Sequence, residues 1–185
     1  MLEELIRRIA ERLDADTVPY MVIGGQAVLI YGRPRLTRDI DIVLGIDVDS
    51  FALIEKACGK LGLKMLPAKP EEFAKETSVL PAEEQKSGFR VDFVFSFSEY
   101  EKQALKRAKR INVNNYRVKF ASCEDVIIYK MVAARAVDVE DVRNILLKHK
   151  DSADLEYVKG WPSEFDKIPE HKGILERFNS LSQQR

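Results

Sequence analysis

Three aspartates and a glycine pair are the residues of this 185-residue chain whose types and spacing can do chemistry. Gly24-Gly25 follows the short apolar run Tyr20-Met21-Val22-Ile23. Asp39-Ile40-Asp41 comes after thirteen intervening residues, and Asp92 stands later between Val91 and Phe93. Side chains alternate along a strand, so Asp39 and Asp41 leave the same face about 7 Å apart while Ile40 points into the core. Such a pair repels itself unless positive charge lies between. A hard divalent cation binds one or two carboxylates plus substrate phosphates, and a third carboxylate allows two metals to be held. Asp92 leaves its strand on the face opposite Val91 and Phe93, so the three aspartates converge if the two strands are neighbours. The glycines supply the other half. Between a buried strand and a helix N-terminus they let the backbone approach a phosphate, which free N–H groups and the helix dipole favour. One element would hold the phosphates. The other would activate an attacking oxygen and neutralise charge developing at an α-phosphorus.

The elements that must position these residues follow from periodicity. Leu2, Leu5, Ile6, Ile9 and Leu13 recur at helical spacing over 1–14. Residues 20–23 read as a buried strand, 26–31 as a short helix broken by Gly32-Arg33-Pro34-Arg35, and 39–44 as a second strand. Asp49 or Ser50 caps a helix carrying Phe51, Ile54, Ala57, Cys58 and Leu61, and Gly62 stops it. Residues 67–88 are polar with two prolines, and read as an excursion or short helix outside the core. A third strand covers 89–95, then a charged helix 98–109. Two short strands around Asn114-Asn115 read as a hairpin. From Ser122 on the chain reads as helix, with a capping box at Ser122 and Asp125, a helix over 138–149, and breaks at Trp161-Pro162 and Pro169. The expectation is an α/β (α+β) fold: a mixed sheet core over 1–120 and a C-terminal helical subdomain over 121–185 packed on it.

Composition bounds the rest. Thirty Lys and Arg balance thirty Asp and Glu, which excludes a strongly basic polyanion wrapper but leaves local patches open. With 45% hydrophobic residues beneath the 32% charged fraction, the chain reads as folded. No apolar run reaches the length of a membrane span and no signal peptide opens the chain, so a cytoplasmic protein is expected. Cys58 and Cys123 lie far apart and read as reduced, partly buried thiols; His149 and His171 have no metal spacing. A Gly-x-Ser-x-Gly elbow and a P-loop are both missing.

Each piece alone has a plainer reading: Gly-Gly as a turn, Asp-x-Asp as a solvated strand edge. Arg33, Arg35 and Arg38 precede the Asp-x-Asp strand and read either as triphosphate or nucleic-acid contacts or as ion-pair partners of the aspartates. The basic residues Lys102, Lys106, Arg107, Lys109 and Arg110 read as an RNA guide or, more plainly, a solvated face.

Together, Ile23-Gly24-Gly25-Gln26-Ala27 and Gly32-Arg33-Pro34-Arg35-Leu36-Thr37-Arg38-Asp39-Ile40-Asp41-Ile42 closely resemble the signature of the nucleotidyltransferase fold, the DNA polymerase β-like superfamily. Within it the stretch is similar to the small prokaryotic branch that includes the AbiEii-type toxins. The resemblance spans 18 to about 145. It implies transfer of a nucleoside monophosphate from an NTP to an acceptor hydroxyl on tRNA or other RNA, a protein or a small molecule. Asp39, Asp41 and Asp92 would bind Mg²⁺ (or Mn²⁺) and form the catalytic set. Gly24, Gly25, Thr37 and Arg38 would contact the nucleotide. Glu124-x5-Lys130 and Arg135-x-x-Asp138-x-x-Asp141 also match the branch, which puts Lys130 at the triphosphate in a catalytic role and Asp138 near the centre. The residues themselves leave open a surface lysine and an ion-pair ladder. A toxin role with an antitoxin partner, and a non-catalytic nucleotide-binding or interaction module on the same fold, are the remaining classes.

Overall fold

The computed structural model describes residues 1–96, 98–149, 151–165 and 173–183. It falls into two units, Met1–Gln26 with Leu36–Phe120, and Ala27–Arg35 with Ala121–Arg185. The chain passes from one to the other within the helix α2 (Gly24–Tyr31).

The first unit is the mixed α/β fold expected. Its strands are β1 (Tyr20–Ile23), β2 (Asp39–Leu44), β3 (Leu63–Met65), β4 (Val79–Glu84), β5 (Phe89–Phe95), β6 (Lys109–Val113) and β7 (Tyr116–Phe120). They form one sheet in the order β3-β4-β5-β2-β1-β7-β6. The β2–β5 and β1–β7 pairs are parallel, the others antiparallel. The helices α1 (Leu2–Ala15), α3 (Phe51–Leu61), α4 (Pro70–Thr77) and α5 (Glu99–Arg107) complete the unit. Leu5, Ile9 and Leu13 of α1 are fully buried, as are Ile40, Ile42, Ile54 and Phe93. Such burial stabilises the fold by some 1.5–3 kcal/mol per large side chain.

Local chemistry explains most boundaries. Gly62 ends α3 with φ 70°, a left-handed value glycine adopts without cost. Asn114 and Asn115 both have positive φ (47° and 63°), as a two-residue hairpin turn of this hand requires. The cap before α3 differs from expectation. Asp47 accepts the N–H of Asp49 and opens a 3-10 turn over Val48–Ser50, while Ser50 makes no side-chain cap bond.

The larger correction concerns 67–88. The stretch holds the short helix α4, but it does not lie outside the core: β4 and the preceding β3 extend the sheet beyond β5, and Ala74, Leu80 and Ala82 are fully buried. Pro81 in mid-strand hid β4 in the sequence, because proline cannot donate to a ladder. The strand tolerates it because β3 ends opposite Ala82. At Pro81 only the carbonyl is needed, and it accepts the Leu66 N–H at 2.9 Å.

The second unit packs α6 (Cys123–Ala133), α7 (Ala136–His149), α8 (Leu155–Phe165) and α9 (Ile174–Gln183) together. The Ser122 hydroxyl accepts the Asp125 N–H at 3.2 Å and donates to its carboxylate at 2.6 Å, the capping arrangement expected. The chain does not break at Trp161-Pro162. Pro162 lies inside α8, whose packing against α6 and α9 outweighs the lost N–H bond. Pro169 and His171 lie outside the described residues. No helix among the described residues is long and apolar enough to cross a membrane.

If β4 is a core strand, Leu80→Ala lowers the unfolding free energy by about 2–5 kcal/mol in urea titration. Leu66→Ala, at a side chain 41% exposed, changes it by less than about 0.5 kcal/mol. Equal effects would contradict this placement.

Candidate active site

The first unit brings the glycine pair and the three aspartates together. In the parallel β2–β5 ladder Asp41 lies directly across from Asp92, and Asp39 across from Arg90. Residues two apart share a face, so Asp39, Asp41, Arg90 and Asp92 all project from one face. Ile40, Val91 and Phe93 are fully buried on the other, as their apolar character dictates. The carboxylates gather toward the beginning of β2, where burial is incomplete. Antiparallel pairing sets Ile23, the last residue of β1, against Asp41, so the chain leaves β1 into Gly24 beside that carboxylate.

Gly24 is favoured here by φ and by sterics, Gly25 by sterics alone. A Cβ on Gly24 would come within 1.9 Å of Asp41 Oδ2, and Gly24 has φ +64°. A Cβ on Gly25 would come within 2.5 Å of Thr37 Oγ1. The first turn of α2 therefore lies against the Asp-x-Asp strand and the residue leading into it. Gln26 fastens the two, its side-chain amide donating to the Asp39 carbonyl at 3.3 Å. Arg38 is exposed next to Asp39.

Part of the negative charge at the site is offset by a residue that the sequence analysis did not single out. Arg90 Nε donates to Asp92 Oδ1 at 2.9 Å. Its guanidinium pKa is raised first by that bond and further by the charges of Asp92, Asp39 and Asp41. The signal was legible as Arg-x-Asp on one strand face, two residues apart. The pair is half exposed on the arginine side, so it contributes at most about 1 kcal/mol, little enough for a ligand to displace. Among the described residues no three His, Cys, Asp or Glu side chains close into a ready metal cage. The donor set is nevertheless all carboxylate oxygen, which suits a hard cation that takes one or two protein ligands and completes its shell from phosphate and water.

The arginines before β2 divide. Arg35 belongs to the second unit and binds Asp141 through Nε (3.2 Å) and a terminal nitrogen (3.1 Å). The second unit also joins Lys130 and Asp138. Lys130 Nζ, almost fully buried, lies 2.7 Å from Asp138 Oδ1 and 3.0 Å from Asp141 Oδ2. Asp138 also accepts from Arg135 Nε at 2.6 Å and from the Arg135 backbone N–H at 3.2 Å. Burial alone would push the Asp138 carboxyl up, but the bonds from Arg135 and Lys130 outweigh it and hold the carboxyl below its ordinary range. Arg135 and Asp138 form the expected i,i+3 pair, whereas Asp141 pairs with Lys130 and Arg35 instead of continuing a ladder. Burial pushes the thiols of Cys58 and Cys123 up to about 12, so neither is a nucleophile near neutral pH.

A protein-family profile described as "Nucleotidyltransferase of unknown function (DUF6036)" matches residues 1–172. The chain belongs to this family. Comparison with curated proteins finds no match. Comparison with solved structures finds eighteen matching chains. One is the antibiotic-resistance factor ANT(2'')-Ia, in solution (TM-score 0.62, 16% identity, 91% of this chain and 95% of that one). Another is an antigenic nucleotidyltransferase-like protein from Paracoccidioides brasiliensis (0.56, 17%, 95% and 92%). A third is the lincosamide antibiotic adenylyltransferase LnuA, lincomycin-bound (0.54, 16%, 77% and 94%). At these identities the likeness establishes the nucleotidyltransferase fold.

Two outcomes test this geometry. Gly24→Ala forces a left-handed residue at about 1–2 kcal/mol and drives its methyl into Asp41, so it displaces that carboxylate. Loss of stability together with altered Asp41 signals in carboxyl NMR is expected, and an unchanged Asp41 would refute the contact. Asp138, with its folded pKa depressed, stabilises fully above the free value of about 3.9. That contribution is lost as pH falls through the lowered folded value. Asp138→Asn costs about 3–5 kcal/mol at neutral pH and flattens the acid limb of stability measured in urea.

Proposed function

We propose that this nucleotidyltransferase transfers a nucleoside monophosphate from an NTP to an acceptor hydroxyl, using the Asp39, Asp41 and Asp92 face of its sheet. The observation that carries the reading is the register of Asp41 with Asp92, set beside a glycine turn fitted against Asp41. Asp39, Asp41 and Asp92 would hold Mg²⁺ or Mn²⁺, which when bound supplies charge neutralisation at the α-phosphorus and its leaving group. The N–H groups of Gly24, Gly25 and the following turn would bind phosphate oxygens, with Thr37 and Arg38 beside them. Asp92 would take the acceptor proton. The acceptor oxygen forms a bond to Pα, the bond from Pα to the bridging oxygen breaks, and pyrophosphate leaves with that electron pair. Arg90, freed from Asp92 as ligands enter, keeps a positive charge at the site. Lys130 is assigned to the triphosphate and Asp138 to the neighbourhood of the catalytic centre by the resemblance alone, and within the second unit their ion pair holds the ammonium.

Incubation with a divalent cation, each α-labelled NTP and an acceptor panel of total RNA, cell lysate and hydroxylated small molecules tests the proposal. Label should appear on one acceptor class and fall by about 10²-fold or more in Asp39→Ala and Asp41→Ala. Label retained in both variants would falsify the carboxylate assignment. As the toxin of a toxin–antitoxin pair the protein would label a cellular RNA or protein, which product size separates from a small acceptor. Arg90→Gln removes the competitor for Asp92, so Mn²⁺ binding by calorimetry should tighten by up to about fivefold, the ~1 kcal/mol of an exposed ion pair. Weaker Mn²⁺ binding would show Arg90 to support the metal site instead.

A further inference from the structure

Beside the aspartate face, the first unit carries a cleft of about 500 Å³ that the proposed reaction leaves unassigned. Its walls are the 66–69 loop and α4, and Pro81 and Arg90 complete it. The lining is mainly apolar, and Leu66 and Phe73 expose 41% and 38% of their surface there. A volume of this size suits a drug-sized molecule.

We infer that this cleft is the acceptor subsite, and that it takes a small molecule of low net charge with an apolar ring or chain face and a free hydroxyl. The inference rests on the nucleotidyl-transfer reading and deepens it. Its warrant is the order of groups across the sheet. The glycine turn leaves β1, Asp39 and Asp41 stand on β2, Asp92 on β5, and Pro81 lies directly across from Asp92 on β4. Directly paired residues share a face, so Pro81 continues the surface that carries the carboxylates. Attacking and leaving oxygens in phosphoryl transfer lie roughly in line through the phosphorus. With the triphosphate held at the glycine end, the acceptor must approach from the far side of the carboxylates, which is where the cleft opens. Arg90 links the two, since it both lines the cleft and bonds Asp92.

The lining also selects the acceptor. Its charges are Lys69 and Arg90 against Glu72 and Glu76, with Lys69 already bound to Glu72. A polyanion needs an excess of positive charge, and a polycation an excess of negative. Neither is present, whereas Leu66 and Phe73 offer exposed apolar surface to a ring, over the buried Pro81.

The test uses the isotope-labelled 185-residue chain and three neutral probes, benzyl alcohol, menthol and phenyl glucoside, titrated without nucleotide and followed by amide NMR. Shifts are expected at Ala68, Lys69, Phe73 and Glu76. Ala68→Trp, which fills the cleft from an exposed position, and Phe73→Ser should each weaken binding about tenfold. Mg·ATP affinity of Ala68→Trp should stay within about twofold of the parent. Absence of probe binding at millimolar concentration overturns the inference. Mg·ATP shifting the cleft amides and weakening in Ala68→Trp would assign the cleft to the nucleobase and also overturn it. Displacement of the probes by a single-stranded RNA would replace the small acceptor with a nucleic acid. Failure of the parent reading has its own signature: Mg·ATP leaves the Gly24 and Gly25 amides unmoved while the probes still bind, and the cleft is then a ligand site without a donor.

Discussion

Asp41 and Asp92 face each other across the parallel pairing of β2 and β5, and every other feature of the candidate site accommodates that juxtaposition. Two carboxylates at one register position repel each other, and no apolar packing relieves the repulsion. Arg90 sits two residues from Asp92 on the same face and supplies one positive charge against the three carboxylates. Gly24 has no side chain because Asp41 occupies the space one would need. Gln26 ties the helix turn to the strand that bears the acids, and Thr37 fills the space beside Gly25. A weak internal ion pair over a strongly repulsive cluster is the electrostatic condition for binding a cation with its phosphates.

The second unit solves a different charge problem. Lys130 is buried, and a buried ammonium is tolerated only with close partners. Asp138 and Asp141 provide them, and Arg135 and Arg35 each bind both oxygens of one of these acids. The motif that reads in the sequence as a nucleotide contact is thus also a structural network within its own unit. Arg35, from the loop before β2, was open to either a phosphate contact or an ion pair with the aspartates beside it, and it pairs with an aspartate of its own unit, Asp141.

Viewed along the sheet, the proposed chemistry has a direction. The phosphate end lies at the glycine turn, the carboxylates stand on the two adjacent strands, and the apolar cleft lies one strand farther. The segment that builds the cleft, β3-α4-β4, is the one whose place in the sheet was least visible in the sequence. A proline in mid-strand, a three-residue strand and a polar helix carry little period-two signal. Loop and edge segments of this kind are where a common scaffold acquires its particular substrate.

The amino-acid sequence by itself determined the elements with strong local signals: the amphipathic α1, the strands at 20–23, 39–44 and 89–95, and the hairpin at Asn114-Asn115. Periodicity and turn chemistry act between near neighbours, so they are readable in order along the chain. It also determined which aspartates share a face, since alternation within a strand needs no partner. Only the tertiary structure decided that β2 and β5 are adjacent and in which register, because strand pairing joins residues some fifty positions apart through backbone bonds that carry no residue code. Only it revealed Arg90 as the counter-charge and divided Arg35 from Arg38. Which ion pairs form depends on distances across the fold, and composition balanced at thirty against thirty is silent about them.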